Sequence, residues 1–149
     1  MYASHDDLVY LAGLVDGEGT IRIHRHHPKT NRVPSHLLEL SVANTYRPVL
    51  EWVKERFGGQ VVSRGIRPRS IRPGFTWQLR STSQVANILR RLTPFLQIKW
   101  QQAELGINFA LASPPHHRGK KLLTEEELAL REGYFLALKT ANQNPRYKA

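Results

Sequence analysis

Leu11-Ala12-Gly13-Leu14-Val15-Asp16-Gly17-Glu18-Gly19 is the stretch from which the rest of the chain is read. The apolar residues in and before it fall at helical spacing. Leu8, Leu11, Ala12 and Val15 lie on one side, Val9 and Gly13 on the next. That stripe is too wide for a helix with one solvated face, so two faces are expected to be covered. Ala12 and Gly13 are small enough to let another backbone come close. The helix is predicted to start near Ser4 and to end near Val15 or Asp16. Asp16 and Glu18 then sit at or just past its C-terminus, where the negative pole of the macrodipole disfavours anions. Such a local conflict marks a candidate functional site, although a Gly-rich helix stop with two solvated acids has the same pattern. An EF-hand loop starting at Asp16 fails, because His27 stands where its bidentate Glu is needed.

The whole chain bounds the partners. Its 149 residues carry 22 Lys and Arg against 12 Asp and Glu, a net charge of +10. This excess points to a polyanion, with nucleic acid ahead of a membrane surface. No apolar run approaches the ~20 residues of a spanning helix, so no membrane partner is expected. No basic segment followed by an apolar run opens the chain, so no targeting signal is visible. The expected location is intracellular: an organelle (chloroplast or mitochondrion) or the prokaryotic cytoplasm. The chain has no Cys, which removes disulfides and thiolate metal sites.

Downstream of the opening helix, Thr20 to His26 alternates. Ile21 and Ile23 point one way, and Arg22, His24 and His26 the other. A polar turn containing Arg32 leads to a second strand, about Ser35 to Ala43. Its Leu38, Leu40 and Val42 point inward, and Ser35, Leu37, Glu39 and Ser41 outward. Four His near this hairpin (His24, His26, His27 and His36) raise zinc as one reading. The absence of Cys and of helical spacing favours contacts to base edges and phosphates instead. Asn44 or Thr45 is placed to cap a second helix with Pro48 in its first turn, ended by Gly58-Gly59. A strand at about Gln60 to Arg64, an Arg-rich turn (Arg67, Arg69, Arg72) and a strand from Phe75 to Arg80 follow. A third helix starts at Ser81 or Ser83, a fourth spans about Phe95 to Leu111, and a last one is capped by Thr124 with Glu127.

The opening stretch resembles the signature of the LAGLIDADG homing endonucleases. Leu11, Ala12, Gly13, Leu14, Asp16 and Gly19 agree with it, Val15 replaces an Ile, Gly17 an Ala, and Glu18 the second acid. The predicted order of elements also matches the αββαββα order of that family. The implied fold class is α+β: a four-stranded antiparallel, saddle-shaped sheet, helices on one face, and extra C-terminal helices. The resemblance assigns residues 1–112 to the endonuclease core. Residues 113–149 are left as a basic linker and a C-terminal helical extension packed on the same domain.

Family members with one motif act as homodimers, and this chain has one. The resemblance therefore implies a homodimer joined through the signature helix at Leu8, Leu11, Ala12, Gly13 and Val15. It implies a divalent metal on Glu18 and the Gly17 carbonyl, with Mg²⁺ the expected ion and Mn²⁺ or Ca²⁺ suited to the same site. It further implies catalytic roles for Glu18, for Lys99 as a stabiliser of phosphate charge, and for Asn44 as a water-positioning residue. A solvated helix Lys and a plain helix cap are the alternatives for Lys99 and Asn44. Asp16 is expected to shape the turn rather than to serve as the main ligand.

The expected partner is double-stranded DNA. Its contacts are assigned to Arg22, His24, His26, Arg32, Ser35, Leu37, Glu39, Ser41, Arg64, Arg67, Arg69, Arg72, Thr76, Gln78 and Arg80. Arg22 or Arg64 is suited to guanine, and Glu39 to accepting from cytosine, at about 1–3 kcal/mol of discrimination per contact. The expected activity is site-specific, metal-dependent hydrolysis of a long pseudo-palindromic DNA site, giving a double-strand break. The alternative is a cleavage-inactive binding protein on the same scaffold, either an RNA maturase or a transcription regulator.

Overall fold

In a computed structural model of the chain, residues 3–27, 34–66, 68–69, 71–113 and 123–143 are described. The first helix, α1 (His5–Glu18), starts on a capping box. The Ser4 hydroxyl accepts from the Asp7 backbone N–H at 3.1 Å, and the Asp7 carboxylate accepts from the Ser4 N–H at 2.9 Å. The helix runs to Glu18, past the Val15 or Asp16 end expected from the sequence. The chain then turns sharply into β1 (Gly19–His26). A Cβ on Gly19 would lie 2.6 Å from the Val15 Cα and 2.7 Å from its carbonyl oxygen, so only glycine fits this corner.

Strand β1 pairs antiparallel with β2 (Ser35–Asn44), in a register that sets Arg22 opposite Glu39 and Gly19 opposite Val42. Helix α2 (Arg47–Phe57) has Pro in its first turn, and the glycines after it have positive φ. Strands β3 (Gln60–Gly65) and β4 (Gly74–Arg80) form the second hairpin. The sheet order is β1-β2-β4-β3, antiparallel throughout. This is the α+β architecture expected from the sequence.

One sheet face is the core side. Ile21, Ile23, Leu38, Leu40, Val42, Trp77 and Leu79 point into it and are buried. Helices α1, α2, α3 (Thr82–Leu92) and α4 (Trp100–Ala112) cover it with Leu11, Val15, Leu50, Val53, Leu89, Ala103 and Phe109. The buried Trp77 indole donates to the Gly58 carbonyl at 2.7 Å, so its N–H is satisfied.

The fourth helix begins later than the sequence suggests. Residues 93–95 form a 3₁₀ turn, and α4 starts only at Trp100. The N–H groups of Gln97, Ile98 and Lys99 go to the Asp16 carboxylate on α1, at 2.7, 3.1 and 3.0 Å. A cap brought from another element holds this turn.

The last helix, α5 (Glu125–Asn142), packs against α4 and β1, with Leu138 buried in the same core. Its Glu132 carboxylate binds Arg25 and His36, each at 2.8 Å, and Asn142 donates to the Ile21 carbonyl of the edge strand at 2.9 Å. The Arg25 guanidinium lies 4.4 Å from the Phe135 ring centroid.

Candidate active site and nucleic-acid interface

The C-terminus of α1 separates its two acids. Among the described residues, Asp16 accepts from the backbone N–H groups of residues 97–99, so it is a structural carboxylate. Glu18 is exposed and points away from that turn, toward β2. The register explains its neighbour. With Gly19 opposite Val42, β2 overshoots the start of β1 and carries Asn44 to the level of Glu18. The Asn44 amide donates to the Glu18 carboxylate at 2.6 Å, and its Oδ1 accepts from the Tyr46 N–H at 2.7 Å. Asn44 therefore does not cap α2, whose N-cap is Tyr46. It positions the Glu18 carboxylate.

Lys99 is not a solvated helix lysine. Its ammonium donates to the Val15 carbonyl at 3.0 Å and to the Gly19 carbonyl at 2.5 Å. It thus neutralises the negative end of α1 and satisfies carbonyls the helix leaves open. Burial pushes the Lys99 pKa down, and the Asp16 carboxylate partly offsets this. Two of the three ammonium N–H groups are committed, next to the turn that carries Glu18.

Glu18 and Asn44 line a cleft of about 320 Å³ together with Arg64, Arg72 and Phe75. A bulge between Ser63 and Gly65 interrupts the β3 ladder at Arg64. The cleft combines one carboxylate, one amide and two guanidiniums, a set suited to a phosphodiester and its hydration.

From this cleft the sheet face opposite the core extends outward. Arg22, His24 and His26 of β1, Ser35, Leu37 and Ser41 of β2, and Thr76, Gln78 and Arg80 of β4 lie on it, as the alternation predicted. Arg69 and Arg72 are exposed in the β3–β4 turn. Arg32 and Arg67 lie outside the described residues. Thr20, Gln60 and Val62 share the open face by register with Ser41, Gln78 and Thr76 and were not singled out from the sequence. The same period-two reading would have found them. His36 faces the core side and binds Glu132, apart from His24 and His26, so these histidines do not form one cluster.

Two assignments need correction. Glu39 lies on the open face but is 2% exposed, and its two oxygens accept from Arg22 and Arg80. It is in no position to accept from a cytosine. The second correction concerns the helix seam. Leu11, Ala12 and Val15 are fully buried inside their own chain, and Leu8 packs against the same core. The stripe that reads as one broad seam is the core face. Of the expected seam residues only Gly13 is exposed. Beside it on the outer face are Val9, Tyr10 and Gly17, and a Cβ on Gly13 or Gly17 would meet nothing within 4 Å. An open hollow of about 500 Å³ flanks this face, lined by Tyr10, Leu14, Tyr46, Pro48, Val49 and Trp52.

An α+β sheet with one basic open face and an acid at its edge is suited to a polyanion, and known proteins share this architecture. No protein-family model matches the chain. DNA endonuclease I-CreI of Chlamydomonas reinhardtii is 31% identical over 98 residues, which cover 66% of this chain and 58% of that protein. The fold is that of solved homing endonucleases. The archaeal intron-encoded I-Vdi141I, complexed with DNA, superposes with a TM-score of 0.73 at 16% identity over 91% of this chain and 84% of that one. I-CvuI, in complex with its target in the presence of 2 mM Ca, gives 0.66 at 17% identity over 96% and 94%. In its signature stretch and its fold the chain is similar to the LAGLIDADG homing endonucleases, and the match to I-CreI spans less than two thirds of that protein's length.

Proposed function

We propose that the chain is a site-specific homing endonuclease. In this reading it acts as a homodimer and makes a double-strand break in a long pseudo-palindromic DNA site by metal-dependent hydrolysis. The observation that carries the reading is the Glu18–Asn44 pair at the lip of an arginine-lined cleft, where α1 meets the basic sheet face. The net charge of +10 supports a duplex partner.

The donor set fits a hard divalent cation. Glu18 offers an exposed carboxylate and Gly17 a carbonyl at the helix end, and among the described residues no group of three His, Asp or Glu forms a closed metal cage. Mg²⁺ suits such a site, because it keeps waters and takes further ligands from phosphate. When bound, the metal would supply an activated water and polarise the phosphodiester. Asn44 holds the Glu18 carboxylate in one orientation. Lys99 keeps a positive charge beneath the turn, where it favours charge developing on phosphate. Arg64 and Arg72 supply guanidinium donors for phosphate oxygens at the cleft wall.

Homodimerisation is supported by the outer face of α1. Val9 and Tyr10 are 43% and 52% exposed, beside the open surfaces of Gly13 and Gly17. A partner helix crossing at these glycines could come close and cover Tyr10 and Trp52, two of the three aromatics of the adjoining hollow.

Selection of a cleaved sequence from a randomised duplex library in Mg²⁺ tests the activity. Recovery of one pseudo-palindromic cut site is the expected result. Enrichment by binding with no cut product would replace the endonuclease by a binding protein on the same scaffold.

A further inference from the structure

Three strands meet at one carboxylate on the open face. Arg22 of β1 and Arg80 of β4 stand directly opposite Glu39 of the central strand β2. Arg22 donates through Nε to one Glu39 oxygen at 2.9 Å, and Arg80 donates through Nε to the other at 2.5 Å. Glu39 is 2% exposed, while the arginines are 47% and 48% exposed. We propose that Glu39 is a specificity-determining positioning residue, which presents the terminal guanidinium edges of Arg22 and Arg80 to two neighbouring guanines in the DNA major groove. This rests on the reading of the chain as a site-specific DNA-binding enzyme.

The chemistry follows from which atoms are committed. Each arginine uses Nε toward Glu39, so its Nη1 and Nη2 edge is left to a ligand. That edge is the fork that binds guanine O6 and N7 bidentately. Glu39 is 2% exposed beneath the two guanidiniums that its oxygens accept from, so it is itself out of reach of a base. The cluster lies in the middle of the sheet. For a strand ribbon seated in a groove, the middle faces base edges and the rims face phosphates. Both guanidiniums converge on one carboxylate, which fixes them next to each other and assigns them adjacent positions in the site. Holding the two long side chains in place before binding also removes rotamer freedom that would otherwise be lost in the complex.

The test is a binding selection on a randomised duplex library with wild type, Glu39→Gln, Arg22→Ala and Arg80→Lys. Wild type should enrich guanine at two neighbouring positions of each half-site. Glu39→Gln should lose both preferences together, by about fivefold or more at each, the lower end for a bidentate pair. It should also bind random duplex more tightly, because the net charge rises from +10 to +11 on loss of one negative charge. A residue needed only for folding would weaken both kinds of binding. Arg22→Ala should abolish one guanine preference. Arg80→Lys keeps the charge and should abolish the other, and it tests the cluster even if Glu39→Gln fails to fold. Unchanged guanine preferences in Glu39→Gln, or loss at a cytosine alone, overturns the positioning role while the DNA reading stands. A wild-type chain that enriches no sequence overturns both.

Discussion

Asp16 and Lys99 lock α1 to α4 in both directions: the Asp16 carboxylate accepts from the Lys99 backbone N–H at 3.0 Å, and the Lys99 ammonium donates to the Val15 carbonyl at 3.0 Å. One residue caps the start of a helix, the other the end of a helix, and together they fix the turn that carries Glu18. Asp16→Ala removes the acceptor for three N–H groups and the carboxylate facing Lys99. The expected loss is about 2–3 kcal/mol of stability, read from urea unfolding. A loss below about 0.5 kcal/mol, the range of ordinary surface changes, would show that the lock is dispensable.

The roles proposed for Glu18 and Asn44 are separable by experiment. Glu18→Gln should lower the cleavage rate by about a hundredfold or more, since changes merely around metal ligands already cost about 10–100-fold. Binding to the selected site should persist. Asn44→Ala should cost about tenfold in rate, through a less well oriented carboxylate. Single-turnover cleavage on the selected duplex distinguishes the two, and wild-type cutting by Glu18→Gln would remove the metal assignment.

Gly13 gives a clean probe of assembly. A Cβ there meets nothing within the chain, and Val has a higher helix propensity than Gly. Gly13→Val should therefore leave the helical circular dichroism intact. If two copies pair through the outer face of α1, the added methyls should turn a sedimenting dimer into a monomer. A variant that still sediments as a dimer places the seam elsewhere.

Arg69 is exposed in the β3–β4 turn, at the rim of the open face. Arg69→Ala should weaken binding to all duplexes about equally and lower the salt slope by about one. A change confined to particular sequences would mean that Arg69 reads bases.

The docking of α5 should depend on acidity. Burial raises the Glu132 pKa, but hydrogen bonds from His36 and Arg25 and their charges outweigh it and hold the group below its ordinary value. A carboxylate with a depressed pKa stabilises the fold above its unfolded pKa, and this contribution is lost as pH falls through the folded value. Glu132→Gln should then cost about 1–2 kcal/mol at neutral pH, and the difference from wild type should shrink through the acid range. A constant difference across that range would deny the ion-pair origin.

Much of the fold could be read from local patterns. Period-two alternation put Ile21, Leu40, Trp77 and Leu79 inward and Arg22, His24 and Gln78 outward, because successive strand side chains must point to opposite faces. Capping boxes at Ser4 and Thr124 marked two helix starts, because a side chain three residues from the cap is within reach whatever the rest of the chain does. The signature stretch pointed to the acidic turn and to the fold.

What only the tertiary structure decided is which of two equivalent faces or partners each residue uses. Helical spacing could not tell that Leu11, Ala12 and Val15 face their own core while Gly13 and Tyr10 face outward, since both stripes are apolar. Alternation placed Glu39 on the open face. It could not show that strands β1 and β4, distant in sequence, bring two arginines to its oxygens. Asp16 and Glu18 look alike two residues apart, yet a helical rotation of about 200° sends one to the N–H groups before α4 and the other to Asn44. Sequence fixes periodicity and propensity, which are short-range. Charge partners, caps supplied in trans and the choice of buried face are long-range, and they exist only once the sheet and helices have closed around one core.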